Sequence, residues 1–162
     1  IESCAEVLGT DGTPQEFCNV FSDFSFNAKS GKLESFSGDG QPIDGRIKTG
    51  DPAGATDQGV TVRLATVLKG VEGWLVLNLE VENRLRTPLT VADYDSQYIG
   101  PDGQHFFPAI NFVTNLPKEI QPGATVPSMV MFDTPTLGGT YTFVGFAKDS
   151  MTEIRIDVVV PK

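Results

Sequence analysis

The chain has 162 residues and a mass of 17.4 kDa, one ordinary domain's worth, long enough to bury roughly two-thirds of its unfolded surface. At 40% hydrophobic and 20% charged residues the composition is globular and excludes a disordered tail. A net charge of -9 repels phosphate and argues against capture of nucleic acid or an anionic membrane, and a single His excludes any site built on two imidazoles.

Two cysteines, Cys4 and Cys18, lie near the start of the chain. An even count in a short acidic chain points to a disulfide and to export. Closing a loop of that length is worth about 3 kcal/mol in the chain-entropy model. A reduced pair, or half of a metal site, is the alternative reading, and no Cys-x-x-Cys spacing supports the metal. The lead before Cys18 has too few alternating apolar residues to form a strand unaided, so the disulfide is expected to pin it. Glu2 is out of place for a lipoprotein cysteine at Cys4. No basic segment precedes an apolar run, and no apolar run approaches membrane-span length. An exported chain of this sequence is expected to have had its signal removed.

Residues 1–59 carry a charge balance of -6 and residues 60–162 a balance of -3. The early part also holds the flexible turns Gly9-Thr-Asp-Gly-Thr-Pro14, Ser37-Gly-Asp-Gly40 and Gly50-Asp-Pro-Ala-Gly54. Its phenylalanines are ambiguous: Phe17, Phe21 and Phe24 fit helical spacing, while Phe24-Ser-Phe26 fits a strand. A tethered lead-in to one strand is expected.

From Val60 the alternation is plain. Val60, Val62, Leu64, Thr66 and Leu68 are expected to share one face of a strand. Lys69-Gly-Val-Glu-Gly73 turns the chain into Leu75, Leu77, Leu79 and Val81, opposed by Asn78, Glu80 and Glu82. After Asn83-Arg-Leu-Arg-Thr-Pro88 a strand begins at Leu89. Gly100-Pro-Asp-Gly103 suits a type I turn and Pro122-Gly123 a type II turn. Val126, Ser128, Val130 and Phe132 alternate up to Asp133-Thr-Pro135. Gly138-Gly139 is expected to make a hairpin turn into Tyr141–Ala147. Ile154, Ile156, Val158 and Val160 form the last strand. Strands at this spacing, without a helical stretch, predict a single all-β domain over residues 1–162, with 1–59 atypical. The expected architecture is an immunoglobulin-like antiparallel β-sandwich of seven to nine strands, with barrel closure as the alternative.

The order Val60-Thr-Val-Arg-Leu, Trp74-Leu-Val-Leu-Asn-Leu-Glu-Val-Glu-Asn83, Pro-Asp-Gly hairpin, Gln121-Pro-Gly and Val130-Met-Phe-Asp133-x-Pro135 resembles the telokin-like, or immunoprotective extracellular protein, group. These are small exported bacterial immunoglobulin-like domains. The resemblance covers about residues 60–147 and rests on turn and core positions. It implies export, a cell-envelope or secreted location, and no catalytic site.

Candidate chemistry is sparse. His105 with Asp102 nearby invites a Ser-His-Asp reading, but no Gly-x-Ser-x-Gly elbow exists, and a structural His at a strand end accounts for it. Asp93, Asp95 and Gln97 alternate like the start of a calcium loop, yet Tyr98 occupies the sixth position where Gly is required. A looser calcium site using Asp39, Asp44, Asp51 or Asp57 competes with solvated turn carboxylates. Blue copper needs two His. Gly38-Asp-Gly40 places a carboxylate where a phosphate would sit. No cofactor and no metal ligand set is therefore expected. Trp74, on the Asn78/Glu80 face, with Tyr94 and Tyr98 near a turn, are the candidate interface, since Tyr and Trp give large contact area at low entropic cost. A Trp covered by the N-terminal segment is the competing account.

The expected function is an exported, non-enzymatic binding domain with a protein or glycan partner, neither nucleic acid nor an inserted membrane. A calcium- or carbohydrate-dependent extracellular enzyme or accessory domain, or a structural spacer, is the alternative.

Overall fold

The computed structural model describes residues 1–8, 14–26, 28–29, 31, 33–38, 40–43, 46–51, 53–70, 73–109, 115–133 and 136–162. It is all-β, in several antiparallel sheets, with no helix among the described residues. The chain divides into two compact units, Ile1–Gly45 and Arg46–Lys162.

The first unit contains β1 (Glu2–Leu8), β2 (Pro14–Phe26), β3 (Leu33–Gly38) and β4 (Gln41–Pro42), hydrogen-bonded in that order. β1 and β2 pair without a break from Glu2↔Val20 to Leu8↔Pro14. Cys4 lies directly opposite Cys18 and is bonded to it. The lead expected to be no strand of its own is therefore a seven-residue strand, because β2 pairs with it along its whole length and takes up the backbone groups of alternate residues.

The phenylalanine ambiguity resolves into a strand with a bulge. The register shifts between Ser22 and Ser25, where Asp23 takes a left-handed φ of 54°. One extra residue in β2 puts Phe21 and Phe24, three apart, on the same side. Both meet Phe36, at ring-centroid distances of 6.0 and 5.8 Å. Spacing that looks helical in the sequence is thus a strand carrying a bulge. The turn at residues 9–13, Asp39 and Asp44 lie outside the described residues, as does the side chain of Phe17.

In the second unit, β5 (Ile47–Thr49), β6 (Ala55–Asp57), β7 (Val60–Lys69), β8 (Trp74–Asn83) and β13 (Thr125–Asp133) form one sheet, in the order β13-β8-β7-β5 with β6 also on β7. The other sheet holds β9 (Leu89–Val91), β10 (Gln97–Ile99), β11 (His105–Phe106), β12 (Glu119–Ile120), β14 (Thr140–Ala147) and β15 (Thr152–Val159). Its order is β11-β10-β14-β9-β12, with β15 on the far side of β14. The composition shift at residue 59 is not the structural boundary: β5 and β6 pair with β7 and so belong to the second unit.

The two sheets share one core. Leu75, Leu77 and Val81 are fully buried, as are Val60, Val62 and Val130, with Ile154, Ile156 and Val158 from the last strand. Phe132 bridges the sheets, its ring 5.7 Å from Tyr98 and 5.9 Å from Tyr141.

Two expectations need correction here. A bulge between Leu64 and Thr66 reverses the phase of β7, so Val67 enters the core while Thr66 and Leu68 turn outward. Gly138-Gly139 makes no hairpin, because β13 and β14 belong to different sheets. The Gly100–Gly103 turn does join a hairpin, closed by Gly103 N–H to Gly100 O at 2.9 Å. The Gln121–Ala124 turn closes at 3.1 Å with Gly123 at φ 76°.

Candidate functional site

Alternation along β8 sends Trp74, Val76, Asn78, Glu80 and Glu82 to the side of the five-stranded sheet away from the core. The register places Ile47 beside Leu68, Leu68 beside Val76, and Val76 beside Met131. An apolar row therefore runs across all four strands β5, β7, β8 and β13. Ile47 is exposed and the other three are half-buried. Trp74 extends the row at one end of β8, and its indole lies over Gly70, where a side chain would occupy the ring's space. Nearby, burial lowers the proton affinity of the Lys69 ammonium, against the opposing pull of Asp133.

The same face changes character along the strands. Asn78 donates to Thr66 Oγ1 at 2.8 Å. Beyond it, Glu82 accepts from Arg63 at 2.9 Å and from Arg84. Hydrogen bonds from Arg84 and then Arg63 hold the Glu82 carboxyl below the usual glutamate range, and Glu82 in turn raises Arg84. One end of the face is apolar and the other is charged.

Tyr94 lies elsewhere, in the six-stranded sheet. β9 and β10 both pair with β14, at Gly145–Ala147 and Thr140–Thr142, and residues 92–96 are pinched out between them. The Ser96 hydroxyl donates to Ala92 O at 3.1 Å and accepts from Val144 N–H at 3.2 Å, standing in for the missing strand carbonyl. Tyr94 sits at the tip of this turn and is 72% exposed.

Tyr98 is not on a surface at all. Its side chain is fully buried, donating to Thr136 O at 3.2 Å and accepting from Gly139 N–H at 2.9 Å. Burial raises its phenol above the ordinary range. In β10 the residues Gln97 and Ile99 face out and Tyr98 faces in, so the expected grouping of Trp74, Tyr94 and Tyr98 does not form one patch. The half-buried row at Leu68, Val76 and Met131 escaped the sequence reading. Its one signal, Val76 between Leu75 and Leu77, needed the β7 bulge to become a patch.

His105 is exposed, with Nδ1 2.9 Å from Gln97 Oε1. Asp93 accepts from Tyr94 N–H, Asp51 from Ala53 N–H and Asp57 from Gln58, each within its own turn. Glu2, Cys4 and Cys18 lie close together, but both sulfurs are consumed in the disulfide and offer no thiolate.

No protein-family model matches this chain, and no curated protein matches it. Among solved structures, a functionally unknown protein from Listeria monocytogenes EGD-e is similar at 10% identity and a TM-score of 0.47, over 74% of this chain and 89% of its own. No helix among the described residues is long and apolar enough to cross a membrane.

Proposed function

We propose that this chain is an exported, non-enzymatic binding domain with an immunoglobulin-like sandwich fold, as the telokin-like resemblance implies. It would engage a protein or glycan through the outer face of its five-stranded sheet. The observation that carries this reading is the row Ile47, Leu68, Val76 and Met131 beside Trp74. A contiguous apolar row on an outward sheet face, bordered on one side by charged groups, is the kind of patch that marks an interaction surface. Chain crossings from one sheet to the other at β8–β9, β12–β13 and β13–β14 support the sandwich reading. An exposed disulfide supports an oxidising location outside the cytosol or at the cell envelope.

The test uses the immobilised full chain against fractionated cell-envelope protein and a glycan array. Trp74→Ala with Val76→Lys should abolish retention of a specific ligand, whereas Tyr94→Ala should leave it intact. Retention lost with Tyr94→Ala alone would move the surface to the six-stranded sheet. Turnover of an ester, peptide or glycan library that disappears with His105→Ala would overturn the non-enzymatic reading.

A further inference from the structure

The edge of the first sheet is built differently from the other edges among the described strands. At its far side, β4 is two residues long and contains Pro42. In the second unit β13 contains Pro127 and is met along its outer side by Asn115 and Ala109, while β15 carries Glu153, Arg155 and Asp157. β5, β6, β11 and β12 are only two or three residues long. These are the usual devices that keep a sheet edge from recruiting another chain. β1 has seven residues, no Pro, no Lys and no register shift.

Its hydrogen-bonding phase follows from the ladder. Ile1 and Phe21 exchange both backbone bonds, Phe21 N–H to Ile1 O at 2.6 Å and Ile1 N to Phe21 O at 2.7 Å. Antiparallel pairs alternate, so Ser3, Ala5 and Val7 bond to β2, and the N–H and C=O groups of Glu2, Cys4 and Glu6 point away from it. The disulfide sits in that outward-pointing phase and staples β1 to β2 at Cys4. Among the described strands, none pairs with β1 on that outward side.

The charges select what can pair there. Residues 1–45 hold eight acidic and two basic residues. β1 itself carries Glu2, whose side chain is exposed. A second copy of this acidic strand is repelled, and a basic one is attracted.

We propose that β1 is a docking edge for an extended, basic segment of a partner polypeptide, which adds a fifth strand beside it. Main-chain bonds to Glu2, Cys4 and Glu6 would supply the affinity, and lysine or arginine near Glu2, within this acidic unit, the selectivity. This inference is independent of the outer face of the five-stranded sheet.

The probe is a short synthetic peptide alternating lysine with valine or threonine, added to the oxidised full chain. Its binding should slow hydrogen exchange at the Cys4 and Glu6 amides and should weaken as salt rises. N-methylation of the peptide amides that face β1 should cost about tenfold or more in affinity, while N-methylation of the alternate set should be tolerated. Glu6→Pro removes one outward N–H but no bond to β2, so it should lose binding with the Cys4–Cys18 bond intact. Glu2→Gln should bind more weakly, with a shallower salt dependence. Exchange at Cys4 and Glu6 unaltered by saturating peptide, equal binding of a glutamate version, or equal tolerance of both methylation patterns would each overturn the proposal. So would self-association of the chain that protects the same two amides.

Discussion

Tyr98 and Gly139 meet where a side chain has no room: the Gly139 amide donates to the buried Tyr98 hydroxyl, and a Cβ at Gly139 would stand 2.6 Å from that oxygen. The contact joins β10 to the start of β14 and fixes the entry of the chain into the second sheet. Gly139→Ala should therefore destabilise the protein by about 1–3 kcal/mol through overpacking. Tyr98→Phe should cost a similar amount, about 1–3 kcal/mol, by leaving a buried N–H unpaired. Chemical denaturation of both variants checks the pair, and an unchanged midpoint in Gly139→Ala would contradict the geometry.

Leu77 lies in β8 between Val67 and Val130, all three buried, and Val76 beside it faces outward. Leu77→Ala should cost about 2–5 kcal/mol. Val76→Ala should cost less than about 1 kcal/mol, since that side chain is only partly removed from water. Comparable losses at the two positions would refute the face assignment.

Asn83 is fully buried where β8 ends. Its Nδ2 donates to Thr87 O at 3.1 Å and Ile120 O at 2.9 Å, and its Oδ1 accepts from Leu85 N–H at 2.9 Å. Asn83→Asp keeps the shape but turns a donor pair into a carboxylate facing two carbonyls. The introduced acid should be raised in the folded state, so this variant should recover stability as pH falls through the folded value and the acid protonates. Denaturation midpoints measured from neutral to acidic pH should converge on wild type. A gap that stays constant would rule out this account.

Glu82 behaves in the opposite sense. Its folded value is depressed by Arg84 and Arg63 below the ordinary 4.5, so its contribution is complete above the unfolded value and fades as pH falls through the folded one. The advantage of wild type over Glu82→Gln should therefore shrink in the acid range and in high salt. Carboxyl NMR titration of Glu82 should give a midpoint below that of a solvated glutamate.

The Cys4–Cys18 bond should appear as a loss of two hydrogens in the mass measured without reductant. Because both residues are exposed, mild reductant should open it in the native protein. Replacing both by Ser should lower the stability of the β1–β2 ladder by about 3 kcal/mol in the chain-entropy picture. Hydrogen exchange at Ser3 and Ala5 reads that loss directly.

Much of the second unit is legible in the residues alone. Leu75, Leu77, Leu79 and Val81, or Ile154, Ile156 and Val158, declare an inner face because a strand's side chains alternate whatever surrounds them. Gly100–Gly103 and Gln121–Ala124 declare turns because proline and glycine restrict or free φ locally. Other features depend on distant partners. The bulges at Asp23 and Ala65 carry no compositional mark, and one inserted residue redirects every side chain beyond it; that is why Phe21 and Phe24 share a side and why Leu68 joins the outer row. Tyr94 and Tyr98 read alike in the sequence. The length of the turn pinched out at 92–96 decided which entered the core. Asn83 is an ordinary strand-end polar residue until the carbonyl of Ile120 arrives against it from another sheet. Local periodicity and turn chemistry determined the strands, while pairing between segments far apart in the chain decided which faces, edges and side chains were left for a partner.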